Sequence, residues 1–150
     1  ISSIYAVSDE LMATEDDVFI CEADLFVSDG KLFEAELPRS CYFGKMVVGR
    51  SEDWVFDVDD HGKITRIGKA GDDRYNMVGV SWFKRDDARL LGQLIEDSYG
   101  APGYEDLFWD DVVNNNLNKL DLIVHEIGAG QITEIDTYEE LKQIDNSYAD

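Results

Sequence analysis

Basic residues are scarce in this chain: 13 lysines and arginines stand against 33 aspartates and glutamates, a formal net charge of −20 in 150 residues. A surface of that sign repels phosphates, which argues against a general DNA- or RNA-binding role. Long apolar runs are absent as well. None approaches the roughly 20 residues that span a bilayer, and the first residues carry no basic-then-apolar signal pattern, so no membrane partner is expected and the cytoplasm is the default compartment. There are two cysteines, Cys21 and Cys41, and two histidines, His61 and His125. Neither cysteine has a second cysteine or a histidine close by, so no zinc knuckle or redox pair is readable; each lies in an apolar strand-like run, where a small buried thiol is the common role. His61 falls in a turn signal and His125 in a strand, neither with a nucleophile at an interpretable spacing. No glycine-rich phosphate loop, internal repeat or low-complexity segment occurs.

What remains is the composition of a folded protein, 44% hydrophobic and 11% aromatic, with enough chain for one domain and its core. Ser8 to Ala13 reads as the end of a helix in which the chain opens, with no leader before it. Val18-Phe19-Ile20-Cys21 is a continuous apolar run of the kind that forms a strand buried on both faces. It ends in Glu22-Ala23-Asp24, acids at the carboxyl end of a strand, the edge where ligands bind in open α/β sheets. Ser40 to Val48 reads as another strand. Trp54 to Val58 and Ile64 to Ile67 flank the turn Asp59-Asp60-His61-Gly62 as a hairpin, and Met77 to Trp82 is a further central strand. Helical spacing through Ala88, Leu91, Leu94 and Ile95 predicts a helix over 86–97, stopped by Gly100 and Pro102. A second helix is expected over 105–117, strands over 120–127 and 132–135, and a closing helix over 138–144 with Thr137 and Glu140 as a capping box. Alternating strands and helices with one inserted hairpin make an α/β fold with a mixed sheet.

Two features carry chemistry. The stretch from Gly103 to Asp111 sets Glu105, Asp106, Asp110 and Asp111 around Phe108 and Trp109. Ring faces and carboxylates together cage a quaternary ammonium through cation–π attraction and charge neutralisation, although an acidic helix start followed by buried aromatics has the same sequence. Glu22-Ala23-Asp24 and Glu134-Ile135-Asp136 supply acids at strand ends. Mg²⁺ takes hard oxygen ligands, usually one or two carboxylates plus substrate phosphates, and Asp24 and Asp136 suit it if they converge.

Ser2 to Tyr5, Phe19 to Asp24, Arg39 to Phe43, Asp53-Trp54-Val55, Val78 to Trp82, Tyr104 to Asp110 and Glu134 to Thr137 occur in an order and at spacings that resemble the carboxyl-terminal two-thirds of the bacterial phosphocholine cytidylyltransferases, within the nucleotidyltransferases that activate sugar phosphates and alcohol phosphates. The resemblance covers essentially all 150 residues; Asp-Leu-Phe-Trp-Asp and Glu-Ile-Asp are its most specific parts. It implies a Rossmann-like nucleotidyltransferase fold in one partial domain, 1–150, and the reaction of CTP with phosphocholine to give CDP-choline and pyrophosphate, with Mg²⁺. By position, Asp24 and Asp136 match the family's metal-binding catalytic acids. Trp54 matches an aromatic wall of the choline pocket, completed by Asp106 and Phe108, with Trp109 beside them as a further candidate for substrate contact.

Departures from the family bear on the acceptor and on the donor. Phe108 stands where a tyrosine is familiar, which removes a phenol and keeps the ring face, and Trp82-Phe83 is in altered order. The family's amino-terminal glycine-rich loop, with its following arginine and lysine, has no counterpart, so the chain reads as a fragment that holds the acceptor pocket and metal acids without the nucleotide cradle. On that reading it is inactive alone and self-associates through an exposed sheet edge. Three acceptor readings follow: choline, an aminoalkyl phosphonate, or a sugar 1-phosphate. A primary amine favours more carboxylates and fewer aromatics, a sugar favours Asn, Gln and hydroxyl donors, and Trp54, Phe108 and Trp109 favour choline provided that they face one pocket. A non-catalytic choline-binding or interaction module is the alternative of another class.

Overall fold

The computed structural model describes residues 1–148. Two long strands organise it: β3 (Cys41–Val58) and β4 (Ile64–Phe83), paired antiparallel around the turn at 59–63. The expected hairpin is the closed end of this ribbon. Asp59 Oδ1 accepts from the backbone N–H of His61 at 2.9 Å and of Lys63 at 3.0 Å, and Gly62 takes φ +76°, the left-handed conformation that a residue without Cβ adopts without strain.

The sequence reading separates Ser40–Val48 from Trp54–Val58, and Ile64–Ile67 from Met77–Trp82; each pair is one strand, bent in the middle. Val55 pairs with both Gly68 and Asn76, and Phe56 with both Ile67 and Tyr75, so the ribbon folds back on itself. The bend is made by left-handed residues, Gly49, Ala70 and Asp73, and Asp73 Oδ1 holds the Gly49 N–H at 2.8 Å. Asp57 then ties the folded ribbon together by accepting from Arg66 Nε and Arg74 Nε, both at 2.6 Å.

Around the ribbon lie β1 (Val18–Cys21), antiparallel to β4, and β5 (Ile123–Glu126), parallel to β3, giving a mixed sheet of order β1-β4-β3-β5. A second small sheet pairs β2 (Leu25–Val27) with β6 (Ile132–Glu134). Alternation along the strands sends side chains to two cores. Tyr42, Phe56 and Phe83 join Leu91 and Ile95 of helix α3 (Arg85–Ser98) beneath the short helices α1 (Ser2–Tyr5), α2 (Ser8–Ala13) and α4 (Trp109–Asn114). Cys41, Phe43, Val80 and Trp82 meet Leu32, Ile127 and Ile132 on the other face.

Three expectations are corrected. β1 is an edge strand, half-buried and paired on one side only, and Cys21 at its end is exposed whereas Cys41 is fully buried. Residues 8–13 are a complete two-turn helix preceded by α1. The helix expected from Glu105 starts at Trp109, because Tyr104–Asp106 forms a separate 3-10 turn and Asp111 accepts from the Phe108 N–H at 2.9 Å, capping the helix there. The closing helix α5 (Tyr138–Ile144) is as expected: Thr137 Oγ1 accepts from the Glu140 N–H and Glu140 Oε2 accepts from the Thr137 N–H.

Candidate active site

Backbone pairing brings the two acidic segments together. The β2–β6 register sets Leu25 opposite Glu134, and the Ile135 N–H donates to the Asp24 carbonyl at 2.8 Å. Glu22 is held at the same end, its N–H on the Gly79 carbonyl at 2.9 Å. Carboxylate oxygens of Glu22, Asp24 and Glu134 all lie within 4.8 Å of one another. Mg²⁺ takes hard oxygen ligands, and two oxygens on opposite sides of it are about 4.2 Å apart, so these three carboxylates supply the right donors and lie near the spacing that one such ion would draw together. Asp136 stands outside this triad. Its N–H is drawn toward α5, donating to Glu140 Oε2 at 2.9 Å, while the residue lines the adjacent cavity.

The acids repel one another, and their protonation reflects it. Partial withdrawal from solvent, then Asp24 and Asp136, push the Glu22 carboxyl above its ordinary range. Withdrawal again comes first for Glu134, followed by Asp136, Glu22, Asp24 and Asp53. A bound cation would relieve this repulsion. Gly79 makes room for the Glu22 carboxylate: at φ +73°, a Cβ there would sit 2.7 Å from Glu22 Oε2 and 3.0 Å from Leu25.

Two cavities meet at Glu22, Met77 and Gly79. One, of about 410 Å³, is mainly apolar and is lined by Ile4, Ile20, Tyr42, Trp109 and Asp24. The other, of about 380 Å³, contains Trp54, Phe108, Lys69 and the carboxylates of Glu134 and Asp136. Trp54 and Phe108 meet edge to face with centroids 5.6 Å apart, so these two expected pocket residues do share a cavity. Trp109 does not join them. It stacks on Tyr42 with centroids 5.8 Å apart, faces Phe83, and lines the apolar cavity.

Asp106, the expected acid of the aromatic pocket, is exposed on the 3-10 turn and lines neither cavity. Asp110, in the first turn of α4, lines the cavity of Trp54 and Phe108 instead. It is 5% exposed and accepts from the Tyr42 hydroxyl at 2.9 Å. Burial pushes its carboxyl up to about 7, with the Tyr42 hydrogen bond opposing and the Glu22 charge adding to the rise. Glu22, Glu134 and Lys69 carry no role in the sequence reading, and Asp110 enters it only as one of four acids around Phe108 and Trp109. For Glu22 and Glu134 a signal existed: in Glu-Ala-Asp and Glu-Ile-Asp the outer acids are two apart, the spacing that shares a face in extended chain.

No protein-family model matches the sequence. The chain is 51% identical over 148 residues to a 2-aminoethylphosphonate cytidylyltransferase of Lancefieldella rimae, a match covering 99% of this chain and 59% of that protein. It is 28% identical over 116 residues to a choline-phosphate cytidylyltransferase of Streptococcus pneumoniae, covering 75% of this chain and 49% of that protein. The solved structure of a CTP:phosphocholine cytidylyltransferase from Streptococcus pneumoniae superposes with a TM-score of 0.79 at 25% identity, over 97% of this chain and 62% of that one. The chain thus spans about three-fifths of the first of these relatives and about half of the second. With its mixed sheet and acidic strand ends it has the α/β nucleotidyltransferase fold and is, over nearly all its length, a relative of the cytidylyltransferases.

Proposed function

We propose that the protein of which this chain is part transfers a cytidylyl group from CTP to a short acceptor carrying a phosphonate or phosphate at one end and a primary ammonium at the other, 2-aminoethylphosphonate being the type. The composition of the acid-lined cavity supports this reading most directly. Six acidic residues line it, Glu22, Glu52, Asp53, Asp110, Glu134 and Asp136, against two aromatic ones; with Glu22 and Glu134 given to the metal, four remain for the acceptor. A primary ammonium has three N–H donors to satisfy and gains from many carboxylates, whereas a trimethylammonium donates none and gains mainly from ring faces. With Trp109 turned away, the condition that favoured choline, three aromatics on one pocket, is not met. The 51% identity to an aminoethylphosphonate enzyme points the same way. Phosphocholine is the second reading, supported by the edge-to-face Trp54–Phe108 pair and the structural likeness to a phosphocholine enzyme.

The reaction asks little covalent work of the protein. An acceptor oxygen, already anionic, forms a bond to the α-phosphorus of CTP, and the bond from that phosphorus to the bridging oxygen breaks as pyrophosphate leaves, so no general base is required. Positioning and neutralisation of charge carry the catalysis. Asp24, with Glu22 and Glu134, would hold Mg²⁺, which when bound neutralises the phosphoryl oxygens gathered there. Asp136 and Asp110 orient the acceptor's ammonium from the cavity wall. A pyrophosphate-release assay on the full-length protein with CTP, Mg²⁺ and 2-aminoethylphosphonate tests the reading. Release that requires both CTP and the amine is expected; CTP-dependent release with phosphocholine alone would shift the acceptor to choline, and none with either would refute the reaction.

A further inference from the structure

Within the acid-lined cavity, Lys69 is the one basic side chain among the described residues, and its placement is unusual. Its Nζ lies 5.6 Å from the Trp54 ring centroid and 5.6 Å from that of Phe108, and these two centroids are themselves 5.6 Å apart. The ammonium therefore stands at the third corner of a nearly equilateral triangle closed by two ring faces. Among the described residues it makes no ion pair, although six acidic residues line the same cavity. The β3–β4 register fixes the arrangement, since Trp54 and Lys69 are cross-strand partners on the folded ribbon.

We propose that Lys69 is a specificity-determining residue: its ammonium fills the aromatic corner of the acceptor cavity and excludes a quaternary ammonium from it, leaving the carboxylates to a primary one. This rests on the reading of the cavity as the acceptor site. A trimethylammonium can be held only by the ring faces, which Lys69 already covers with a like charge. To admit it, Lys69 must swing into solvent and forgo contact with both rings, each contact being worth about 2- to 5-fold in affinity at a solvent-accessible position. A primary ammonium has no need of that corner. It donates instead to Asp110 and Asp136, which line the same cavity.

The test separates exclusion from turnover. Full-length wild type, Lys69→Ala and Lys69→Arg are titrated with tetramethylammonium and, separately, with ethylammonium, and binding is followed on the indole N–H resonance of Trp54. Lys69 is exposed on its strand, so the variants should fold, which circular dichroism checks. The expected result is a shift of the affinity ratio toward tetramethylammonium of about 5- to 20-fold in Lys69→Ala, with Lys69→Arg keeping the wild-type ratio. The kcat/KM ratio for phosphocholine over 2-aminoethylphosphonate should move in the same direction. An unchanged ammonium ratio in Lys69→Ala, or a shift toward ethylammonium, overturns the proposal. If wild type turns over neither acceptor, the reaction reading fails, while the ammonium titration still decides the role of Lys69.

Discussion

At the scale of single residues, Asp110 and Asp57 respond to pH in opposite senses. Asp110 is buried against the Tyr42 hydroxyl, with a carboxyl raised from 3.8 to about 7. A carboxyl that holds its proton more tightly in the folded state than in the unfolded one favours folding at low pH. That contribution is lost as pH rises from about 4 through 7, by up to about 4 kcal/mol. Asp110→Asn keeps an acceptor for Tyr42 and removes the ionisation, so urea melts with chelator present should show a shallower fall in stability between pH 5 and 8 than wild type. An identical slope would show that Asp110 does not ionise in that window. Asp57 has the reverse sign: hydrogen bonds from Arg66 and Arg74 hold its carboxyl below the usual range, so its small, solvent-screened contribution is lost only as pH falls below about 4. Asp24 lies with Glu22 and Glu134 in the acidic triad. Asp24→Ala in the full-length protein should lower kcat by about 10²-fold or more and abolish Mg²⁺ binding by calorimetry; near-normal turnover would remove it from the site.

At the scale of elements, the folded β3–β4 ribbon and its irregularity around Gly79, between the pairs Tyr42–Ser81 and Gly44–Met77, set the site's dimensions. Gly79 combines a left-handed backbone with the space taken by the Glu22 carboxylate. Gly79→Ala should cost about 1–2 kcal/mol from backbone strain alone and weaken Mg²⁺ binding by pushing Glu22 aside. A thermal melt and a metal titration check the two effects separately, and unchanged values in both would mean that the carboxylate has room to spare. Elements specified by neighbouring residues were legible in the sequence: the Thr137–Glu140 capping box, the Asp59–Gly62 turn and the apolar stripe of α3 all depend on short-range geometry. The continuous ribbon was not, because its bend arises where Gly49, Ala70 and Asp73 turn together and Val55 meets two partners, contacts between residues far apart in sequence. The same limit explains the site. Acids at strand ends could be read from Glu-Ala-Asp and Glu-Ile-Asp, and the Trp54–Phe108 pairing from the resemblance. The exchange of Asp106 for Asp110 could not, since it turns on a helix that starts four residues later than its composition suggests.

At the scale of the whole molecule, β1 is paired on one side only, and Val18, Phe19 and Ile20 line an open cavity of about 440 Å³ against Ile4, Val7 and Leu11. Unpaired edges with apolar flanks recruit another chain. The isolated 150-residue chain is therefore expected to self-associate in analytical ultracentrifugation; a concentration-independent monomer would contradict this. The central claim is the acceptor's chemistry, and one measurement addresses it directly. Full-length protein is given CTP, Mg²⁺ and equal concentrations of 2-aminoethylphosphonate and phosphocholine in one tube, and the ³¹P resonances are followed with time. The account predicts that the phosphonate signal moves to that of a cytidylyl phosphonate anhydride while phosphocholine is left largely unconsumed. CDP-choline as the first and major product would contradict it.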